Sequence, residues 1–119
     1  MSLFTVRSEI DGDVATLRFE GELDLSTATQ AEAAVKEVES DDGLRTLVLD
    51  LRDLRFLDST GLRVILATDS RARRTGRQVR VVPGPEAVHR VFRIALLDRR
   101  LDFLEPDGAN PDEARGDAP

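Results

Sequence analysis

The sequence predicts an α/β domain in which helical crossovers pack helices onto a sheet. Three observations carry that prediction. Strict two-residue alternation at 13–20 marks a half-buried strand, and apolar stripes of helical period follow it. A short, nearly continuous apolar run at 45–51 then separates two helical stretches. At 119 residues the chain has room for one domain with one core.

In "DVATLRFE", Ala15, Leu17 and Phe19 share one face while Thr16, Arg18 and Glu20 share the other. The preceding "LFTVRSEI" is a weaker strand, joined to it through the hairpin-type dipeptide Asp11-Gly12. In "GELDLSTATQAEAAVKEVESDDG" the period changes: Ala31, Ala34, Val35 and Val38 form one stripe of an amphipathic helix. Thr27 with Gln30, or Thr29 with Glu32, fits a capping box, and Gly43 marks the exit.

The run "RTLVLDL" at 45–51 has the character of a strand covered on both faces. Leu62, Ile65 and Leu66 open a second helix that should stop near Gly76. "RQVRVV" at 77–82 is another strand. Gly84 then serves as N-cap and Pro85 as first residue of a third helix, with a stripe of Val88, Val91, Phe92 and Ala95. "RLDFLE" at 100–105 supplies a last short strand. The order is strand, strand, helix, strand, helix, strand, helix, strand, which demands a sheet with helices packed on it. Residues 1–104 make the single domain. Residues 105–119, rich in Pro, Gly and acids without apolar anchors, are expected to form a disordered tail.

Composition excludes several chemistries. With no cysteine, thiol nucleophiles, thiolate metal sites and disulfides are ruled out. No run reaches the roughly 18 apolar residues of a membrane span, and "MSLFTVRSEI" lacks the features of a signal peptide. An untargeted cytoplasmic protein without membrane attachment is the expectation. A net charge of -6 argues against nucleic-acid binding, although 105–119 holds five acids and one Arg and so carries four of those charges. The basic stretch "RARRTGRQVR" at 71–80 is expected to be a solvated helix end and loop.

Catalysis finds little support. Ser59, His89 and an Asp suggest a triad only in inventory, for no motif ties His89 to Ser59 and Gly-x-Ser-x-Gly is absent. Asp50, Asp53 and Asp58 fit turns and solvated edges better than a metal site. "VVPGPEA" is neither a dinucleotide fingerprint nor a P-loop, so no cofactor is expected.

What stands out is "FLDSTGL", a polar knot between two apolar runs. Asp58 or Ser59 would be a good N-cap, which is the structural explanation. If Asp58 is the cap, Ser59 occupies the first helical position and its hydroxyl is free to point outward. An anion on that hydroxyl would sit at the positive end of the helix, changing the surface without melting the fold.

"GELDLSTA" at 21–28, followed by "DLRDLRFLDSTGLRVIL", resembles the STAS domain family, and within it the free-standing anti-sigma factor antagonists. The resemblance covers about residues 4–104. It implies a four- to five-stranded mixed sheet with helices mainly on one face. It also implies a partner, an anti-sigma factor with a GHKL-type serine kinase fold, which phosphorylates the serine of the motif and so ends the complex. A PP2C-type phosphatase would restore binding. Carried onto this chain, the phosphoacceptor is Ser59, and the binding face comprises Asp24, Asp58, Ser59, Thr60, Gly61 and Arg63. Many relatives have Gly-Leu-Gly where this chain has Gly61-Leu62-Arg63. Arg63 is either a solvent-exposed helix residue or a cation placed to pair with phosphoserine. STAS-like domains also serve, unphosphorylated, as subunits of lipid-transport ATPases and stress-signalling assemblies, the alternative function for this chain.

Overall fold

The structure is a computed structural model, and it describes residues 3–104. The expected acidic tail lies outside the described residues. Among the described residues, five strands and three helices follow in the order β1 Phe4–Asp11, β2 Val14–Leu23, α1 Ala28–Glu39, β3 Thr46–Leu57, α2 Ser59–Arg74, β4 Gln78–Val82, α3 Glu86–Ile94 and β5 Asp102–Phe103. The sheet order is β1-β2-β3-β4-β5, with β1 antiparallel to β2 and every later neighbour parallel.

Register places Ala15 and Leu17 beside Leu47 and Leu49, which in turn lie beside Val79 and Val81. These side chains are buried, and the helices contribute Ala31, Val35, Ile65, Val88 and Phe92 to the same core. The helices therefore cover one face of the sheet. On the other face no helix of the described residues lies over β3: Val48 is only half-buried, and Asp50 is shielded by Arg52 at 2.8 Å and Arg18 at 3.9 Å. The expectation that β3 is covered on both faces is thus corrected, and so is Asp50 as a solvated-edge residue. Burial pushes the Asp50 carboxyl up, but bonds from the Arg52 side chain and N–H outweigh it. Together with the Arg52 and Arg18 charges they hold it below its ordinary value of 3.8.

β3 runs six residues further than the apolar segment at 45–51. Two irregularities in its pairing with β2 each insert one extra β3 residue, between Arg18 and Glu20 and between Gly21 and Glu22. Burial consequently steps by three through Leu51, Leu54 and Leu57. The last β3–β4 pair is Asp50 with Val82, so the ends of β2 and β3 project beyond β4 by roughly 20 Å at about 3.3 Å per residue.

Smaller boundaries also shift. The hairpin loop is Gly12-Asp13, with Gly12 alone at positive φ (63°), the requirement of a type II′ turn. α1 ends at Glu39, four residues before Gly43, because Ser40 caps it and Asp41 starts a turn that accepts from the Gly43 N–H. α3 starts at Glu86 with Pro85 in the cap position, and Ala95 is its exposed cap rather than a core residue.

The basic stretch 71–80 is not a solvated loop. Arg71 binds Glu32 and Glu39 across α1 and α2, Arg73 binds Asp69, and Arg80 binds Asp102. Arg77 donates to the carbonyls of Glu39, Asp41 and Leu44, closing the C-terminal end of α1. Most of these cations are committed inside the molecule.

Candidate functional site

The projecting tip carries two loops side by side, Asp24–Thr27 after β2 and the Asp58-Ser59 junction after β3. Asp58 joins them. In extended conformation (φ −108°, ψ −175°) it is the N-cap of α2, and its Oδ1 accepts from the Gly61 N–H at 2.9 Å. Its Oδ2 accepts from the Leu25 N–H of the other loop at 3.2 Å. One carboxylate thus satisfies an otherwise unpaired helix donor and tethers the neighbouring loop.

Because Asp58 is the cap, Ser59 is the first residue of α2. Its side chain is exposed and its hydroxyl has no hydrogen-bond partner among the described residues. Thr60 is half-buried beside it. Gly61 lies beneath the surface, not on it. A Cβ there would meet the Leu23 carbonyl oxygen at 2.4 Å and the Leu23 and Leu57 side chains at 2.8 Å. Gly61 therefore sets how closely α2 approaches the strand ends.

The β2–α1 loop is braced by its own polar groups. Asp24 Oδ1 accepts from the Ser26 N–H at 3.0 Å and the Ser26 hydroxyl at 2.7 Å. Thr27 is the N-cap of α1, yet its hydroxyl makes no capping bond. It turns back instead, donating to the Glu22 carbonyl at 2.8 Å and accepting from the Asp24 N–H at 2.9 Å. Neither expected capping box forms, since Glu32 is bound to Arg71. The bracing leaves Leu25, 76% exposed, standing beside the Asp58 carboxylate. Sequence reasoning passed over Leu25, whose only signal was an apolar residue inside an otherwise polar loop.

Arg63 is exposed one turn along α2 and forms no ion pair among the described residues. The first turn of α2 contains no acid. Between α1 and α2 a shallow groove, lined by Ala28, Thr29, Glu32, Ala33, Lys36 and Val64, extends the exposed face away from the tip. His89 belongs elsewhere. It lies on α3 with its ring edge-on to Phe103 at 4.8 Å, a packing position against β5 that joins it to no nucleophile. Among the described residues no group of three or more His, Asp or Glu side chains is placed to hold a metal ion, and no helix is long and apolar enough to cross a membrane.

Comparison with known proteins gives a consistent result. The STAS domain pattern matches residues 5–108. The anti-sigma-F factor antagonist RsfB of Mycobacterium tuberculosis is 43% identical over 58 residues, which cover 49% of this chain and 47% of that protein. The match therefore spans about half the length of that relative. The crystal structure of an anti-sigma factor antagonist from Mycobacterium paratuberculosis superposes with a TM-score of 0.75 at 28% identity, covering 96% of this chain and 92% of that one. The Bacillus cell fate determinant SpoIIAA in its phosphorylated form shares the fold, with a TM-score of 0.66 at 18% identity over 96% of this chain and 97% of that one.

Proposed function

This chain belongs to the STAS domain family, and from that premise we propose that it is an anti-sigma factor antagonist switched by phosphorylation of Ser59. In the unmodified state the tip, with Leu25 and Ser59 exposed, binds an anti-sigma factor of GHKL-type kinase fold and so frees a sigma factor. The kinase transfers a phosphoryl group to the Ser59 hydroxyl, and the complex dissociates. A PP2C-type phosphatase hydrolyses the phosphate and restores binding. The setting is cytoplasmic, as the expected partners require.

The observation that carries this reading is the division of labour between neighbouring residues. Asp58 performs both structural tasks, capping α2 and tethering Leu25, so Ser59 is left exposed with a hydroxyl that bonds nothing among the described residues. A helix cap alone requires no second hydroxyl in front of the helix. Phosphorylation adds about −1.5 to −2 charges at that point. Set against an acidic or nucleotide-loaded partner surface, roughly 3 kcal/mol of repulsion would weaken binding about a hundredfold. No core residue has to move.

The test is binding of purified anti-sigma factor from the same cells to Ser59→Ala and Ser59→Asp chains. Persistent binding by Ser59→Ala after incubation with the kinase and ATP, with weak binding by Ser59→Asp, is the expected outcome. Equal binding by both variants and the parent defeats the switch and favours the unphosphorylated interaction subunit.

A further inference from the structure

Taking Ser59 as the phosphoacceptor, as that reading does, we propose that Arg63 is the built-in counter-ion of the phosphate. On modification the guanidinium closes over the Ser59 phosphate as a pair within α2, and the chain itself holds the modified state.

Spacing comes first. Residues four apart on a helix lie on one face with Cβ atoms about 5–6 Å apart. Helical side chains lean toward the helix N-terminus, so a long side chain at 63 reaches back over the turn that carries Ser59. Both residues are exposed.

The second point is charge. Helices ordinarily place acids near the N-terminus and cations near the C-terminus. The last turn of α2 obeys, with Arg71, Arg73 and Arg74, while its first turn has no acid and is followed directly by Arg63. Asp58 supplies one negative charge at the cap, where its oxygens accept from the Gly61 and Leu25 N–H groups, but it forms no ion pair with Arg63 among the described residues. Arg71 and Arg73 of the same helix have carboxylate partners, and Arg63 has none among the described residues. A phosphate on Ser59 adds negative charge at the positive end of the helix and gives the guanidinium the partner it lacks among the described residues. Its oxygens match the planar fork of arginine.

The pairing makes the phosphorylated form more stable than the same form lacking Arg63, and it favours the dianion of the phosphate. Both effects are properties of this chain alone. They can be measured without kinase, phosphatase or anti-sigma factor.

The experiment is a 31P NMR pH titration of the chain with phosphoserine installed at residue 59 during translation, alone and with Arg63→Gln, Arg63→Lys or Arg74→Gln. The second phosphate pKa, about 6 for an unpaired phosphoserine, is expected to lie about half a unit lower in the parent than in Arg63→Gln. Arg63→Lys should recover part of the shift, Arg74→Gln should leave it intact, and urea sufficient to unfold the chain should abolish it. Equal pKa values in the parent and Arg63→Gln would overturn the proposal. So would a shift that survives unfolding or is matched by Arg74→Gln. Because no kinase is involved, the result stands apart from the functional reading, which fails instead if Ser59 is never phosphorylated in cells.

Discussion

Two helices of this chain start where a parallel strand ends, α2 after β3 and α3 after β4, and the two starts are built differently. Each has a glycine pressed against the sheet. A Cβ on Gly61 would strike the Leu23 carbonyl, and one on Gly84 would lie 2.7 Å from the Leu51 carbonyl. Beyond that they diverge. α3 has Pro85 in the cap position and begins with its own acid, Glu86, paired with Arg93 two turns later. α2 has no acid in its first turn, and among the described residues neither the hydroxyl at its first position nor the arginine one turn on has a partner. The α3 start is complete as translated. The α2 start, capped by Asp58, leaves an exposed hydroxyl and an arginine without partners among the described residues, and it stands at the end of the projection formed by β2 and β3. A fold that needed only two well-made helix starts would have no reason for the difference.

The comparison is broken most severely at Gly61. Gly61→Ala should cost about 2–3 kcal/mol in chemical denaturation, because backbone and two buried leucine side chains confront the new methyl group. Gly84→Ala should cost less, since its nearest obstruction is 2.7 Å away rather than 2.4 Å. The reverse order would mean that α2 is not clamped on the strand ends.

Next comes Asp58→Ala, expected to lower stability by about 1–2 kcal/mol through loss of the cap. Its particular signature is faster amide exchange at both Gly61 and Leu25, with α3 unaffected. Faster exchange at Gly61 alone would show that the loop is not tethered by this carboxylate.

Away from both helix starts, Asp50 on the open sheet face should make the fold sensitive to acid. Its folded pKa is lowered, so its contribution is present above 3.8 and lost as pH falls through the lower folded value. The stability advantage of the parent over Asp50→Asn should therefore be full near neutrality and shrink in that acidic window. An advantage independent of pH would contradict the ion pairing with Arg52 and Arg18.

The smallest stability effect belongs to Ser59. Ser59→Ala should change stability by less than about 0.5 kcal/mol, since the hydroxyl bonds nothing among the described residues. A larger loss by thermal denaturation would make Ser59 a structural residue and remove the basis of the comparison.

Much of this was legible in the sequence, for local reasons. The alternation at 13–20, the stripes of α1 and α2 and the knot at 58–61 are written in adjacent residues, and each forms as its pattern requires. The same few residues offered Asp58 and Ser59 as alternative caps, and the structure selects Asp58, which leaves Ser59 exposed. What escaped depends on partners distant in the chain. The far half of β3 loses its two-residue period at two insertions that exist only opposite β2. Thr27 is a nearer case: it has a capping sequence, but its hydroxyl is claimed by the Glu22 carbonyl at the end of β2 and the Asp24 N–H. The arginines at 71–80 look like a solvated run until α1 and β5 bring carboxylates and free carbonyls to them. Leu25 matters because Asp58, 33 residues later, binds its N–H.

The central claim is that Ser59 is left outward to receive a charge. The most direct measurement is an intact-mass spectrum of the protein isolated from its own cells, across growth and stress, with fragmentation to locate any modification. A population about 80 Da heavier, the mass of one added phosphoryl group, localised to Ser59 and changing with conditions, is the predicted result. A protein unmodified under every condition, or modified only at another residue, would contradict it.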